Sequence, residues 1–305
     1  MADIAHPVPT VRFQTLRARS ARGGEIFRAS LKSPTMVGGS IVIILMVLMA
    51  VFAPLIIEPN VPDAYQMPRD YTAINAPPGT PGHLLGTTPT GGDVLYGVVW
   101  GSRMSMRLSV IVVTVVVVVG VTVGSIAGFV GGWVDEVLMR IVDVVLAIPE
   151  LILALAIAGI LGPSFRNIIL ALAVSGWTGF ARLMRAEVLH VKLEEYVDSA
   201  RVIGDSRWRI FRKDVLPNSI SPIVVLATLS MGKYVLFGAT LAFIGLAEAG
   251  LTEWGNLVAD GQTGIASGRW WTATFGGLMV FLWALSFNLV GDGLRDVLDP
   301  RSETR

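Results

Sequence analysis

Six stretches of this chain, roughly 36–57, 105–131, 134–161, 166–190, 218–246 and 272–294, are each apolar over a length that crosses a bilayer as a helix. A hydrocarbon core about 30 Å thick takes about 20 consecutive apolar helical residues. Backbone in lipid has no water to bond to, so a spanning segment satisfies its own N–H and C=O groups as a helix or within a closed barrel. The stretches are too long for barrel strands, and even the valine-rich run VVTVVVVVGVTVG lacks turn signals and reads as membrane helix. Composition agrees, with 53% of residues hydrophobic and 15% charged, where a soluble domain carries about 25% charge. The expected fold is an all-α polytopic membrane protein with about six transmembrane helices. The first stretch is too long for a signal-peptide core and no small-residue cleavage site follows closely, so it reads as a retained helix.

Lys and Arg set the expected orientation, because they concentrate on the cytoplasmic side. Arg12, Arg17, Arg19, Arg22, Arg28 and Lys32 precede the first stretch. Arg182, Arg185, Lys192, Arg201, Arg207, Arg209, Arg212 and Lys213 lie in or beside the loop between the fourth and fifth. Arg295, Arg301 and Arg305 close the chain, and Arg140 lies near the short loop between the second and third. Only Arg69, Arg103, Arg107, Arg166 and Arg269 fall on the opposite side. This gives a cytoplasmic tail over 1–35, a first span over 36–57, an extracytoplasmic segment over 58–104, a core over 105–296 with a cytoplasmic loop at 191–217, and a cytoplasmic tail over 297–305. Pro59 to Pro81 reads as irregular, and Asp93 as the cap of a short interfacial helix from Val94 to Trp100.

The loop EYVDSARVIGDSRWRIFRKDVLPN is polar and basic, yet patterned. Tyr196, Val197, Ala200 and Ile203 share one helical face. Gly204 interrupts it, Ser206 can cap a second short helix, and Trp208, Phe211 and Val215 give that helix its own stripe before Pro217 stops it. Two short amphipathic helices joined by a glycine elbow suit docking into a groove of a soluble partner. The basic charge alone is also that of an ordinary solvated cytoplasmic loop.

Asp198-Ser199-Ala200, Gly204 and Leu216-Pro217 resemble the EAA motif of ATP-binding-cassette (ABC) importer permeases. The full run is similar to the version in the dipeptide/oligopeptide/nickel group, EYVEAARALG…RHILPN, with Asp198 for the usual Glu and Ser199 for the first Ala. HLLGTTPTGGDVLYGVVWGSRMSM, DEVLMRIVDVVLAIPELILALAI, ATLAFIGL, EWGNLVADG and GDGLRDVLDPR extend the resemblance over most of the chain, with Thr88, Gly92 and Gly238 at positions where Asp, Arg and Glu are usual. The last string points to the "C"-type permease. The resemblance implies a five-helix importer-permease core preceded by one N-terminal helix. It implies a coupling loop in which Tyr196, Asp198, Ser199, Ala200, Gly204, Arg209, Leu216 and Pro217 meet an ATPase. The implied partners are a second, homologous permease subunit, two cytoplasmic ABC ATPases, an extracytoplasmic substrate-binding protein and membrane lipid, and the implied solute is a peptide or related small molecule.

No phosphate-binding loop accompanies this. Gly232-Lys233 is followed by Tyr234 and lacks a glycine five residues earlier, so no nucleotide site, cofactor or enzymatic activity is expected. His6, His83 and His190 lack metal-ligand spacing, the absence of cysteine excludes thiolate sites, and a net charge of +1 gives no field for nucleic acid. Inside the membrane, Pro149 reads as a fixed kink in one span. Glu150 and Lys233 are costly there as ions. Glu150 can meet a cationic group of a solute along the pathway, pair with Lys233, or stay protonated. Arg140 and Asp143, three apart, read as a structural ion pair on one helix face. Trp254, Trp270 and Trp271 read as interfacial anchors. The alternative to an importer subunit is an ion-coupled secondary transporter or channel working through Glu150, Asp143 and Lys233.

Overall fold

The computed structural model describes residues 33–298, so the basic residues from Arg12 to Lys32 and Arg301 and Arg305 lie outside the described residues. Among those described there is no β-strand, only four isolated bridges. Helix α1, Pro34–Val51, begins at Ser33, whose hydroxyl accepts the Met36 N–H at 3.4 Å, with Pro34 in the first turn where its missing N–H costs nothing. A short α2, Ala53–Ile56, ends the first apolar stretch.

The longest helix, α3, runs unbroken over the 37 residues Val94–Val130. Asp93 caps it, accepting the Tyr96 N–H at 2.9 Å. Residues 94–100 are therefore not a separate interfacial helix but the first turns of a span. At 1.5 Å per residue α3 is about 55 Å long, well beyond a bilayer core of about 30 Å. Gly101 does not break it, because a Cβ there would already sit 3.1 Å from the Trp254 ring, and close packing holds the helix together.

The third stretch also differs from expectation. It folds as two helices, α4 (Gly132–Leu146) and α5 (Glu150–Leu161), bent by 80°. Pro149 lacks an N–H, and Ile148 before it is disfavoured in helical conformation, so Ala147 to Pro149 leave the helix altogether and do not merely kink it. Helix α6, Phe165–Val191, then α9, Ser221–Phe243, and α11, Trp271–Leu298, complete the membrane set. Among the described residues, five helices are long and apolar enough to cross a membrane, or six with the bent pair as one span.

The most extensive helix pair is α3 with α6, followed by α9 with α11. Helix α1 lies along the outside of α11, where Gly39 approaches the Ser286 carbonyl and Gly293 approaches Met36. The α3–α6 contact is set by glycines at every fourth position of α3. A Cβ on Gly120 would sit 2.7 Å from the Trp177 carbonyl oxygen, one on Gly124 2.8 Å from the Met184 Cβ, and one on Gly128 3.0 Å from the Arg185 carbonyl oxygen. Lipid gives helices no hydrophobic reason to associate, so close backbone approach of this kind supplies the packing energy.

The segment before α3 is irregular but tied down. Tyr96 donates its hydroxyl to the Ala64 carbonyl at 2.6 Å, Trp100 donates its ring N–H to Ile57 at 3.2 Å, and the Asp70 N–H bonds the Gly91 carbonyl at 2.8 Å. Thr88 and Gly92 bond one another twice, by Thr88 N–H to the Gly92 carbonyl at 2.8 Å and Gly92 N–H to the Thr88 hydroxyl at 2.9 Å. His83 Nδ1 lies 2.8 Å from Asp93 and Nε2 3.5 Å from Asp70, and the Asp93 bond holds the imidazole pKa above its ordinary value.

Two of the three expected tryptophan anchors are instead core residues. Trp254, at the start of α10 (Trp254–Ile265), is fully buried and donates its ring N–H to the Val98 carbonyl at 3.0 Å. Trp271 is buried and donates to the Thr87 carbonyl at 2.9 Å. A buried indole needs such an acceptor, and α3 and the segment before it each supply one. Trp270 stays half exposed.

Candidate functional site

Between α6 and α9 the chain leaves the apolar helices for α7 (Glu195–Val202), α8 (Arg207–Ile210) and a π-helical turn, Phe211–Val215. Ser206 caps α8 by accepting the Arg209 N–H at 3.4 Å. Gly204 forms the elbow at φ +91°, a conformation L side chains rarely adopt, while the space around it is empty. The requirement for glycine there within this chain is thus conformational.

The two predicted apolar stripes are only partly turned inward. Val197, Ile210 and Val215 are buried in the main core, with Ala200, Phe211 and Leu216 packed against it. Ile203 (82%), Val202 (88%) and Trp208 (67%) are exposed instead. Tyr196 is also exposed. A short helix lying on the ends of membrane helices buries one narrow edge, so Tyr196 and Ile203 of the first stripe and Trp208 of the second face outward. The polar residues are engaged locally: Asp198 with Arg201 at 2.6 Å, Arg209 with Asp205 at 2.6 Å, and the Ser199 hydroxyl with the Glu195 carbonyl at 3.0 Å. Pro217 is exposed at the exit of the π-helical turn. A shallow cavity of about 460 Å³ opens beside Glu195, Asp198, Ser199, Val202 and Ile203.

The second constellation lies at the break between α4 and α5. Glu150 is the first residue of α5, and Lys233 Nζ of α9 lies 3.0 and 3.2 Å from its two carboxylate oxygens. The pair borders a cavity of about 160 Å³ between Pro149, Gly176, Thr178 and Ser230. The buried Tyr234 hydroxyl has no hydrogen-bond partner, and Gly176 leaves it the room. Tyr234 was not distinguishable in sequence from any other aromatic of an apolar helix.

Arg140 and Asp143 do not pair. Asp143 bonds Arg182 of α6 at 2.6 Å, and Arg140 lies 3.7 Å from Glu136, one turn earlier. Glu preceding Arg by four residues is the favourable order on a helix, and Asp143 faces α6, where Arg182 reaches it. Next to it Arg185 grips Asp135 of α4, with one bond at 2.7 Å. A further carboxyl escaped the sequence reading. Glu253 is almost wholly buried at the start of α10, one of its oxygens has no partner, and burial together with the nearby Glu248 pushes its pKa up to about 7. In sequence it is one acid beside a tryptophan.

Residues 120–304 match the family model described as "Binding-protein-dependent transport system inner membrane component", and residues 22–78 match that for the "N-terminal TM domain of oligopeptide transport permease C". Among curated proteins, the probable D,D-dipeptide transport system permease DdpC of Escherichia coli (strain K12) is 39% identical over 88% of this chain and 89% of its own. The dipeptide transport system permease DppC of the same strain is 42% identical over 86% of this chain and 88% of its own. Among solved structures, an inward-facing conformation of the MetNI methionine ABC transporter contains a chain that superposes with a TM-score of 0.55 at 18% identity, covering 68% of this chain and 98% of that one. At that identity the likeness is one of fold.

Proposed function

This chain belongs to the binding-protein-dependent transport system inner membrane components, and on that footing we propose that it is one of two permease subunits of an ATP-driven importer for dipeptides or other small peptides. It holds no nucleotide-binding motif, so hydrolysis falls to cytoplasmic ATPase subunits. An extracytoplasmic binding protein delivers the solute, and a second permease subunit forms the other half of the path. Closure of the ATPase pair pushes on the segment 191–217, and the rigid α3–α6 pair carries that push to the break at Glu150 as alternating access. Glu150 and Lys233 border the path there.

The observation that supports docking is the apolar surface the segment leaves exposed. Val202, Ile203 and Trp208 stand exposed on a segment whose other edge is anchored in the core. Each such side chain is worth roughly 1.5–3 kcal/mol when fully buried, so a groove covering all three has ample driving force. Gly204→Val tests this. A β-branched side chain at positive φ costs on the order of 1–3 kcal/mol, and the elbow yields. Membrane insertion should be unchanged, while co-purification of the ATPases or the coupling of their hydrolysis to peptide uptake should fall severalfold. Wild-type assembly and uptake in that variant overturn the docking reading. Uptake that persists without ATP but requires an ion gradient favours the ion-coupled alternative.

Orientation is proposed from the Lys and Arg distribution, with both termini and 191–217 in the cytoplasm. The chain has no cysteine, so single ones report cleanly. Tyr71→Cys should react with an impermeant thiol reagent from outside the cell, and Leu193→Cys only in inside-out vesicles; both positions are well exposed. The reverse pattern would invert the topology.

A further inference from the structure

The cytoplasmic ends of α3 and α6 meet the coupling segment around a cavity of about 280 Å³. One wall is apolar, from Phe129, the exposed Val130 and the buried Ile210. The other carries three cations, Lys192, Arg201 and Arg207, against one acid, Asp205. That acid is taken by Arg209 at 2.6 Å, and Arg201 is held by Asp198 at 2.6 Å through one nitrogen and donates to the Lys192 carbonyl at 3.4 Å through the other. Arg207 has no carboxylate partner among the described residues. Lys192 Nζ spends two of its donors on the last carbonyls of α3, Gly128 at 2.9 Å and Phe129 at 3.1 Å, and keeps a third. Those bonds also neutralise the negative end of the α3 dipole, which would otherwise repel an anion. Burial, then the nearby Arg201 and Arg207, lower the Lys192 pKa, with Asp135 opposing them, so positive charge is crowded here.

We propose that this cavity binds a phosphate group, carried as the headgroup of an anionic phospholipid of the adjoining leaflet. A guanidinium fork and an ammonium converge as phosphate recognition requires. The apolar wall is what separates a lipid from a soluble anion. Two membrane helices end at the cavity, and Val130 in its wall is exposed at the end of α3, so the hydrocarbon of a bound lipid continues along α3 into the bilayer. Bound there, the lipid bridges the end of α6 to α8. The proposal rests on the membrane placement above, but on neither the solute nor ATPase docking.

Native mass spectrometry of the detergent-purified full chain tests it, with phosphatidylglycerol, phosphatidylcholine and inorganic phosphate as probes. Each well-placed cation near the surface favours an anionic lipid by about fivefold. Wild type should therefore retain phosphatidylglycerol about fivefold or more over phosphatidylcholine. Arg207→Gln, an exposed substitution, should lose most of that preference, and Arg207→Lys should keep it. Equal retention of the two lipids by wild type, or undiminished preference in Arg207→Gln, overturns the site. Displacement of phosphatidylglycerol by equimolar inorganic phosphate makes the ligand a soluble phosphate and overturns the lipid. Displacement by added ATPase subunits at equal concentration makes the cavity a protein contact and overturns it as well. None of these readouts depends on transport.

Discussion

Gly124→Leu should abolish the folded permease, whereas Gly159→Leu, in an equally apolar helix, should be tolerated. A Cβ on Gly124 collides with the Ala181 carbonyl oxygen and lies 2.8 Å from Met184 Cβ, both on α6, while a Cβ on Gly159 meets nothing within 4 Å. A flexible side chain can move aside, but a helix backbone cannot, so α3 and α6 must separate along their shared length. Overpacking by a few methylenes costs about 1–3 kcal/mol in a soluble core. Here the whole side chain is in conflict and lipid offers no hydrophobic force to hold the pair together. Gly120→Leu should be as damaging, since its Cβ meets Trp177 and Phe180. Gly128→Ala should be milder, because its nearest neighbours stand at 3.0 Å at the end of the contact. The measurement is the yield of monodisperse protein in mild detergent and its unfolding temperature. A Gly124→Leu variant as stable as Gly159→Leu would show that α3 and α6 do not pack through this stripe.

The same glycines show what was readable in the chain and what was not. Their spacing at 120, 124 and 128 is visible in the sequence, but the valine run around them draws attention to hydropathy, which says how long a helix is and not which face meets a neighbour. The Asp93 cap, the Ser206 cap and the elbow at Gly204 are local properties of backbone preference, and each is found where it was expected; of the apolar stretches, the second begins earlier, at Val94, and the third is broken. Apart from the extent of α3, which takes in residues 94–100, the errors are matters of partner choice. Asp143 could be seen to share a face with Arg140, yet Arg182 on another helix takes it. Trp254 and Trp271 looked like belt residues because composition cannot show that Val98 and Thr87 turn carbonyls toward them. Pro149 was visible, but whether a proline kinks or breaks a span depends on what fills the gap, and here Lys233 of α9 stabilises the new start at Glu150. The apolar stripes of the segment 191–217 are periodic, but periodicity does not say how much of a stripe lies against the core and how much faces outward.

Lys233→Met should be more harmful than replacing both members of the Glu150–Lys233 pair. In wild type the two charges neutralise one another at 3.0 Å, with 35% and 28% of their side chains exposed. Removing Lys233 leaves Glu150 facing a lining of apolar side chains and the hydroxyls of Ser175, Thr178 and Ser230 with no counter-ion. Breaking a fully buried pair from one side costs about 3–5 kcal/mol; partial exposure to the cavity lowers this here to about 1–3 kcal/mol. Glu150→Gln together with Lys233→Met removes both charges, and replacing a part-buried ion pair by a neutral pair is close to neutral for stability. The double variant should therefore recover most of the unfolding temperature lost by Lys233→Met. Stability and transport then separate. If the pair borders the solute path, the double variant assembles with its ATPases yet transports with altered rate or peptide preference, because the groups that face the cavity of about 160 Å³ have changed. Reconstituted uptake of several dipeptides of differing charge, measured beside ATPase activity, distinguishes the cases. Recovered stability with unaltered uptake of every peptide would make Glu150 and Lys233 a structural clasp between α5 and α9 and remove them from the path. Failure of the second substitution to restore stability would show that the two residues do not act as a pair at all.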